Sequence, residues 1–320
     1  MNSDIAKHFI AQWQKGDTTF TITTSGSTGI PKAIELQKRI MQWSAAHTAS
    51  IIQPTAEDTL LCCIPCNKVG GLMMLVRALE WQIPVEILEP MANPFLDERN
   101  ASIVSLTPYQ LFYILNDEVS TEHFKKVRAV IIGGGELSPA LENKLTSQYF
   151  ESTIFYHSYG MTETYSHIAL RAINGLHAST YFTPFSDVKI SMDENNCAVI
   201  QLPFELDALH TTDLIQLQSN GDFEITGRAD FIINTGGVKI QPELIEKAIK
   251  EKLNPQNAFI ISSEKDEALG HKLILIAEKN FEYNLSDLNF LKSINTYAVP
   301  KEIRIIETFD RNASDKIVRF

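Results

Sequence analysis

The chain has 320 residues, 44% of them hydrophobic and 21% charged, which excludes a disordered protein and suffices for one large core plus a smaller domain. With 28 Lys and Arg against 39 Asp and Glu the net charge is −11, which argues against a general binder of nucleic acid or anionic membrane. Anionic substrates would have to meet positive charge that is gathered locally.

The N-terminal stretch is no signal peptide, because Asp4 and Lys7 interrupt any apolar run. Ser3 is expected to cap a first helix carrying Ile5, Phe9 and Trp13 on one face and ending at Gly16. Met1 and that capped helix are expected to mark a natural start. Residues 18–23 form a β-branched run and predict a strand. Strands are then predicted over 59–64, 85–88, 103–106 and 129–132, and helices over 72–81, 108–115 and 139–149. The most apolar stretch, residues 72–79, is short and broken by Arg77, so no membrane insertion is expected. Three of the four cysteines crowd at Cys62, Cys63 and Cys66, which is no disulfide framework and fits a reducing cytoplasm. Cys63 and Cys66 form a C-x-x-C, but without a second pair or a nearby histidine it makes no metal site.

Alternating strands and helices predict a large layered α/β domain over residues 1–226, with a mixed or parallel sheet. The character changes at Gly227. A strand over 231–233, a turn at Gly236-Gly237, a helix over 242–253 and strands over 258–261 and 273–277 predict a small C-terminal α+β domain, residues 227–320.

The chemistry begins in the loop 23–32, TTSGSTGIPK, which has five hydroxyl side chains, two glycines and one lysine just after a strand. Backbone N–H groups and hydroxyls exposed by such a loop hold phosphate oxygens, and Lys32 adds charge. It is not G-x-x-x-x-G-K-[ST], since no Lys-Ser or Lys-Thr follows the second glycine. Ordinary surface loops share this composition, but not this order of residues.

The loop resembles the signature of the adenylate-forming superfamily of acyl-CoA synthetases, luciferases and peptide-synthetase adenylation domains. Three more stretches match that superfamily in order. They are Tyr159-Gly160-Met161-Thr162-Glu163-Thr164, then Gly227-Arg228-Ala229-Asp230 followed by Gly236 to Ile240, then Lys316 near the C-terminus. The resemblance implies ATP, Mg²⁺ and coenzyme A as cofactors or co-substrates, a carboxylic acid as substrate, and a two-domain fold joined by a hinge at Asp230. It implies that Thr24, Ser25, Gly26, Ser27, Thr28, Gly29 and Lys32 hold phosphates. Tyr159 and Gly134 would border the adenine, Thr162 would donate to the α-phosphate, and Glu163 would bind Mg²⁺. Asp213 would grip the ribose, Arg228 would reach ribose or phosphates, and Lys316 would stabilise charge in the adenylation step.

Within the superfamily, YGMTETYSH (Tyr159 to His167) most resembles the o-succinylbenzoate-CoA ligases of menaquinone biosynthesis. Such an acid carries a second carboxylate, which needs a counter-charge if buried. Lys68, His167 and Arg171 are the candidate cations, and Gly135 borders the acyl pocket. Departures from the pattern are Lys68 where a histidine is usual, Thr212 and Asp315 where glycines are usual, and no subdomain ahead of Thr23, as expected of either a naturally short form or an incomplete fragment. The last leaves a surface that a second copy of the chain could cover as a homodimer. A CoA ligase for another aryl or medium-chain acid, or an adenylate-binding protein that has lost catalysis, are the alternatives.

Overall fold

The computed structural model describes residues 1–24, 32–147, 150–267, 269–311 and 317–319. Its contacts divide the chain into two units, Met1–Val188 and Lys189–Phe320.

In the first unit, helix α1 (Asn2–Lys15) buries Ala6, Phe9 and Trp13 at helical spacing and ends at Gly16. Phe9 and Trp13 pack on Phe20 of strand β1 (Thr19–Thr24), with ring centroids 4.8 and 5.3 Å away. Two expectations shift here. Ile5 is exposed, because the buried stripe turns one residue onto Ala6. Ser3 is not the cap, because the helix already includes Asn2, a buried side chain held by tertiary bonds. Asn2 Nδ2 donates to Leu88 O at 2.7 Å, and its Oδ1 accepts from Cys66 N at 2.6 Å. These bonds outweigh the local capping preference of serine.

Strand β2 (Lys32–Gln37) pairs antiparallel with β1 from Thr19↔Gln37 to Thr24↔Lys32. The predicted strand is thus one arm of a hairpin. Helix α2 (Lys38–Ile52) has no clear sequence signal, because Ser44 and Thr48 share its buried face with Ile40, Met41 and Ala45.

There follow β3 (Leu60–Cys62), α3 (Val69–Trp81), β4 (Val85–Ile87), β5 (Ile103–Leu106), α4 (Pro108–Leu115) and α5 (Glu118–Phe124). After these come β6 (Ala129–Ile132), α6 (Pro139–Leu145), β7 (Ile154–Met161), β8 (Ser166–Ala172) and β9 (Thr183–Pro184). Seven strands form one sheet in the order β4-β3-β5-β6-β7-β8-β9. It is parallel from β4 to β7 and antiparallel across β7, β8 and β9, the mixed sheet of a layered α/β fold.

Alternate strand residues face opposite layers. Val104 and Leu106 join Leu111, Ile114, Phe124 and Leu141 of α4, α5 and α6. Ser105 turns the other way and its hydroxyl donates to Met74 Sδ of α3 at 3.0 Å. Apart from Arg77, the buried residues of α3 from Gly71 to Ala78 are glycine or apolar, so this is a core helix. Thr107 closes a capping box with Gln110 ahead of Pro108, and Ser138 caps α6 ahead of Pro139. Helix α6 ends at Leu145, short of the predicted 149, where Thr146 Oγ1 turns back to donate to Asn143 O.

The second unit begins with an antiparallel meander of β10 (Lys189–Met192), β11 (Cys197–Gln201), β12 (Leu209–Leu217) and β13 (Phe223–Arg228). A 3₁₀ turn over Ala229–Phe231 takes the first residue of the strand predicted at 231. Strands β14 (Ile233–Thr235) and β15 (Val238–Ile240) then turn at Gly236-Gly237. Helix α7 (Pro242–Leu253), β16 (Phe259–Asp266), β17 (Gly270–Glu278) and β18 (Glu302–Ile306) complete the unit. Ile245 and Ile249 of α7 pack with Phe259, Ile261, Leu273 and Leu275 in a cluster drawn from Ile233 to Ala298. That cluster starts a few residues after the change of character at Gly227, while the division into compact units falls earlier, at Val188/Lys189, and groups the β10–β13 meander with the C-terminal unit. Among the described residues no helix is long and apolar enough to cross a membrane.

Candidate active site

The β1–β2 hairpin closes at Thr24↔Lys32 and so brings together the two ends of the Gly/Ser/Thr loop. Ser25, Gly26, Ser27, Thr28 and Gly29 lie outside the described residues, as do the side chains of Thr24 and Lys32. Lys68, at the start of α3, donates from Nζ to Thr23 O at 3.4 Å, which sets its charge beside the end of β1.

The signature 159–164 is built by backbone packing. Gly160 sits at a bulge between β7 and β8, where an added Cβ would lie 2.2 Å from Ser166 O and 2.4 Å from His167 Cα. Only glycine fits there. Thr164, fully buried, accepts from Met161 N at 2.9 Å and has Ser166 O 2.7 Å from its hydroxyl, which fixes the turn between the strands. That turn leaves Thr162 half-buried and Glu163 exposed. Tyr159 is buried, with its ring 6.1 Å from that of Phe182. Gly134, between β6 and α6, has φ +79°, a conformation natural to glycine.

His167 and Arg171 are not free cations. His167 is buried, and its Nε2 lies 2.9 Å from Thr48 Oγ1, which donates onward to Ser44 O. Its Nδ1 accepts from Arg77 Nη2 at 3.4 Å, so the ring is neutral with its proton on Nε2. Burial, then the charge of Arg77, hold its pKa well below the usual histidine range. Arg171 donates to both oxygens of Glu142, at 2.9 and 2.7 Å, and to Ser179 O.

A cation of a different kind lies in α3. Arg77 is 2% exposed and has no carboxylate partner among the described residues. Its Nη2 donates to Ser166 Oγ at 3.1 Å, its Nη1 faces the weakly accepting Met74 Sδ at 3.5 Å, and its Nε has no hydrogen-bond partner. Desolvation pushes its pKa down to about 10. The sequence signal was in view, an arginine inside the most apolar stretch of the chain, but it reads there only as an interruption.

In the second unit the register Asp213↔Arg228 sets two sequence-predicted residues opposite one another. Arg228 Nη1 donates to Asp213 Oδ1 at 2.9 Å, and its Nη2 donates to Thr212 Oγ1 and to Asp230 Oδ2 at 2.6 and 2.9 Å. Burial opposes ionisation of Asp230, but the bond and charge of Arg228 outweigh it and hold its pKa below the ordinary range. Lys316 lies outside the described residues. Just beyond it, Arg319 donates to both oxygens of the buried Glu246, at 2.9 and 2.6 Å, and lies over the Phe231 ring.

The cysteines pair differently from the C-x-x-C spacing. Cys66 Sγ is 3.7 Å from Cys62 Sγ, while Cys63 points to Ser105 O and burial pushes its thiol up to about 12. Among the described residues no group of three or more His, Cys, Asp or Glu is poised for a metal. A single exposed carboxylate such as Glu163 still suits Mg²⁺, which takes one or two protein carboxylates and completes its shell with substrate phosphates and water.

The chain belongs to the AMP-binding enzyme family, whose model matches residues 3–199. It stands among AMP-forming acyl-CoA synthetases. It is 33% identical to a solved acyl-CoA synthetase (AMP-forming)/AMP-acid ligase II-like protein from Dyadobacter fermentans, with a TM-score of 0.66 over 98% of this chain and 91% of that one. A 2-succinylbenzoate–CoA ligase of Listeria monocytogenes is 26% identical over 96% of this chain and 70% of its own length. The fold also matches o-succinylbenzoate CoA synthetase of Bacillus subtilis, solved with its acyl-adenylate intermediate, at 20% identity and a TM-score of 0.77 over 93% of this chain and 67% of that one. The chain is therefore shorter than the ligases from Listeria and Bacillus but similar in extent to the Dyadobacter protein.

Proposed function

We propose that this protein joins a carboxylic acid to AMP at the expense of ATP, releasing pyrophosphate, and then passes the acyl group to coenzyme A. The acid we assign is o-succinylbenzoate. The observation that carries this choice is Arg77, a buried guanidinium with an unpartnered Nε and no carboxylate among the described residues. A buried cation without a counter-ion is costly, and a substrate carboxylate would relieve it. A carboxylate would readily displace Met74 Sδ, a poor acceptor on a pliable side chain, from Arg77 Nη1. Ser166, His167 and Thr48 orient the arginine. The likeness to the Listeria 2-succinylbenzoate–CoA ligase supports the same acid.

On this reading the 24–32 loop and Lys68 would hold the phosphates, Thr162 would donate to the α-phosphate, and Glu163 would hold Mg²⁺. Mg²⁺, when bound, supplies charge neutralisation for pyrophosphate departure. Tyr159 and Gly134 line the adenine, and Gly135 borders the acyl group. Asp213, held by Arg228, presents acceptor oxygens to the ribose hydroxyls. Lys316 stabilises the anionic transition state, and Asp230 is the hinge on which the C-terminal segment turns between half-reactions.

Incubation of the purified protein with ATP, Mg²⁺ and coenzyme A, with and without o-succinylbenzoate, tests the proposal. Acid-dependent pyrophosphate release and a thioester of the expected mass are predicted. ATP binding without pyrophosphate release for any acid in a panel would instead mark an adenylate-binding protein that has lost catalysis.

A further inference from the structure

Three consecutive glycines, Gly133 to Gly135, follow β6. No side chain of theirs can anchor this loop, so anchoring must come from outside. Gly133 N donates to Leu106 O at 3.0 Å, and two residues of β7 supply the side-chain anchors. Ser158 Oγ donates to Ile132 O at 2.9 Å, just before the loop, and His157 Nε2 lies 3.2 Å from Gly135 O.

The state of His157 is fixed from behind. In the antiparallel register of β7 and β8, His157 lies opposite Arg171. Arg171 Nε donates to His157 Nδ1 at 3.4 Å. A guanidinium has only donors, so Nδ1 must carry a lone pair and Nε2 must carry the proton. Nε2 therefore donates to the Gly135 carbonyl. Arg171 cannot swing away, because Glu142 of α6 takes both its terminal nitrogens and Phe182 lies beneath it. Burial, then Arg171, push the His157 pKa down to about 4, while the Gly135 bond and Glu142 act in the opposite sense.

We infer that His157 is a positioning residue for the Gly133–Gly135 loop, held in one tautomer by Arg171, which Glu142 clamps. This rests on the proposed function only in that the loop is taken to border substrate. Arg171 then acts at one remove and does not touch the acid. Hydrogen bonding passes in one direction, from Arg171 through the imidazole to a carbonyl that has no other side-chain partner among the described residues. Glu142 holds Arg171 from the other side.

The test uses the whole chain and two separate readouts. The first is hydrogen exchange across residues 130–137 of the ligand-free protein. Exchange should quicken in H157A and in R171Q. It should stay near wild type in H157Q, whose amide N–H reaches about as far as imidazole Nε2. The second is steady-state kinetics. H157A should raise KM for ATP or for the acid about tenfold, the equivalent of one lost hydrogen bond, with kcat within about twofold. H157Q should restore it. In R171Q the groups still facing the imidazole are Glu142 from α6 and the Gly135 carbonyl, so protonation moves to higher pH. Protonation puts a proton on Nε2 whichever tautomer preceded it, so a KM raised in R171Q at pH 7 should fall back toward wild type as pH drops to 5. Unchanged exchange in all three variants, or H157A kinetics equal to wild type, would overturn the inference. Wild-type protein that releases no pyrophosphate would overturn the proposed function alone, because the exchange result stands without activity.

Discussion

Replacing Arg77 with methionine should make the first unit more stable, not less. The guanidinium is fully buried, and desolvation brings its pKa down to about 10, two to three pH units below its ordinary value. At about 1.4 kcal/mol per pH unit, keeping it charged at neutral pH costs on the order of 3 kcal/mol. Against this stand the bonds to Ser166 Oγ and His167 Nδ1, roughly 0.5–1 kcal/mol each at these lengths. Methionine is unbranched and fills similar space beside Met73 and Met74. The net expectation is a gain of about 1–2 kcal/mol, or about 3–6 °C in Tm for a domain of this size. Thermal and urea unfolding of R77M against wild type, in the absence of ligand, measures it. A loss of more than about 1 kcal/mol would mean that the fold already compensates Arg77, and the argument for a missing anion would fail.

Stability should also fall in acid in a defined window. His157 has its folded pKa lowered to about 4, and His167 is lowered too, so the unfolded chain binds protons first. The contribution of each is fully present above about pH 6.5 and declines as pH falls below it; that of His157 is lost as pH falls through 4 and accounts for roughly 2 kcal/mol by pH 5, a slope that should shrink in H157Q. In the second unit, Arg319→Met leaves Glu246 buried and unpaired and should destabilise by about 3–5 kcal/mol, whereas the double change with Glu246→Gln should recover part of that in a double-mutant unfolding cycle. Lys316→Ala should cripple acyl-AMP formation while sparing thioester formation from preformed acyl-AMP; equal loss in both half-reactions would contradict its assigned role.

The layered sheet was legible because its strands are apolar runs bounded by punctuated turns, and 103–106, 108–115, 129–132 and 242–253 fall where periodicity and the Pro-led helix starts place them. Where polar residues are buried is not legible in the same way. Helix α2 hides because Ser44 and Thr48 lie inside, and Ser3 fails as a cap because Asn2 has better bonds elsewhere. At the site, the Y-G-x-T-E pattern turns out to follow from packing, since Gly160 admits no Cβ and Thr164 ties the turn. His167 and Arg171 stand near the motif in sequence. That His167 is neutral and Arg171 is engaged by Glu142 depends on cross-strand partners and on α6, which no local pattern reveals. Arg77 is hidden for the opposite reason, since a helix buried on nearly every side gives no hint of where an arginine in its middle points.

The most direct test of the account is the specificity ratio, kcat/KM for o-succinylbenzoate over kcat/KM for benzoate, measured in wild type and in R77M. Leaving a buried guanidinium unpaired when a monoacid binds should favour the diacid by about 100-fold or more in wild type. In R77M the ratio should fall toward unity, through a higher KM for the diacid and an unchanged KM for ATP. A wild-type enzyme that turns over benzoate at least as efficiently, or an R77M variant that keeps the full preference for the diacid, would contradict it.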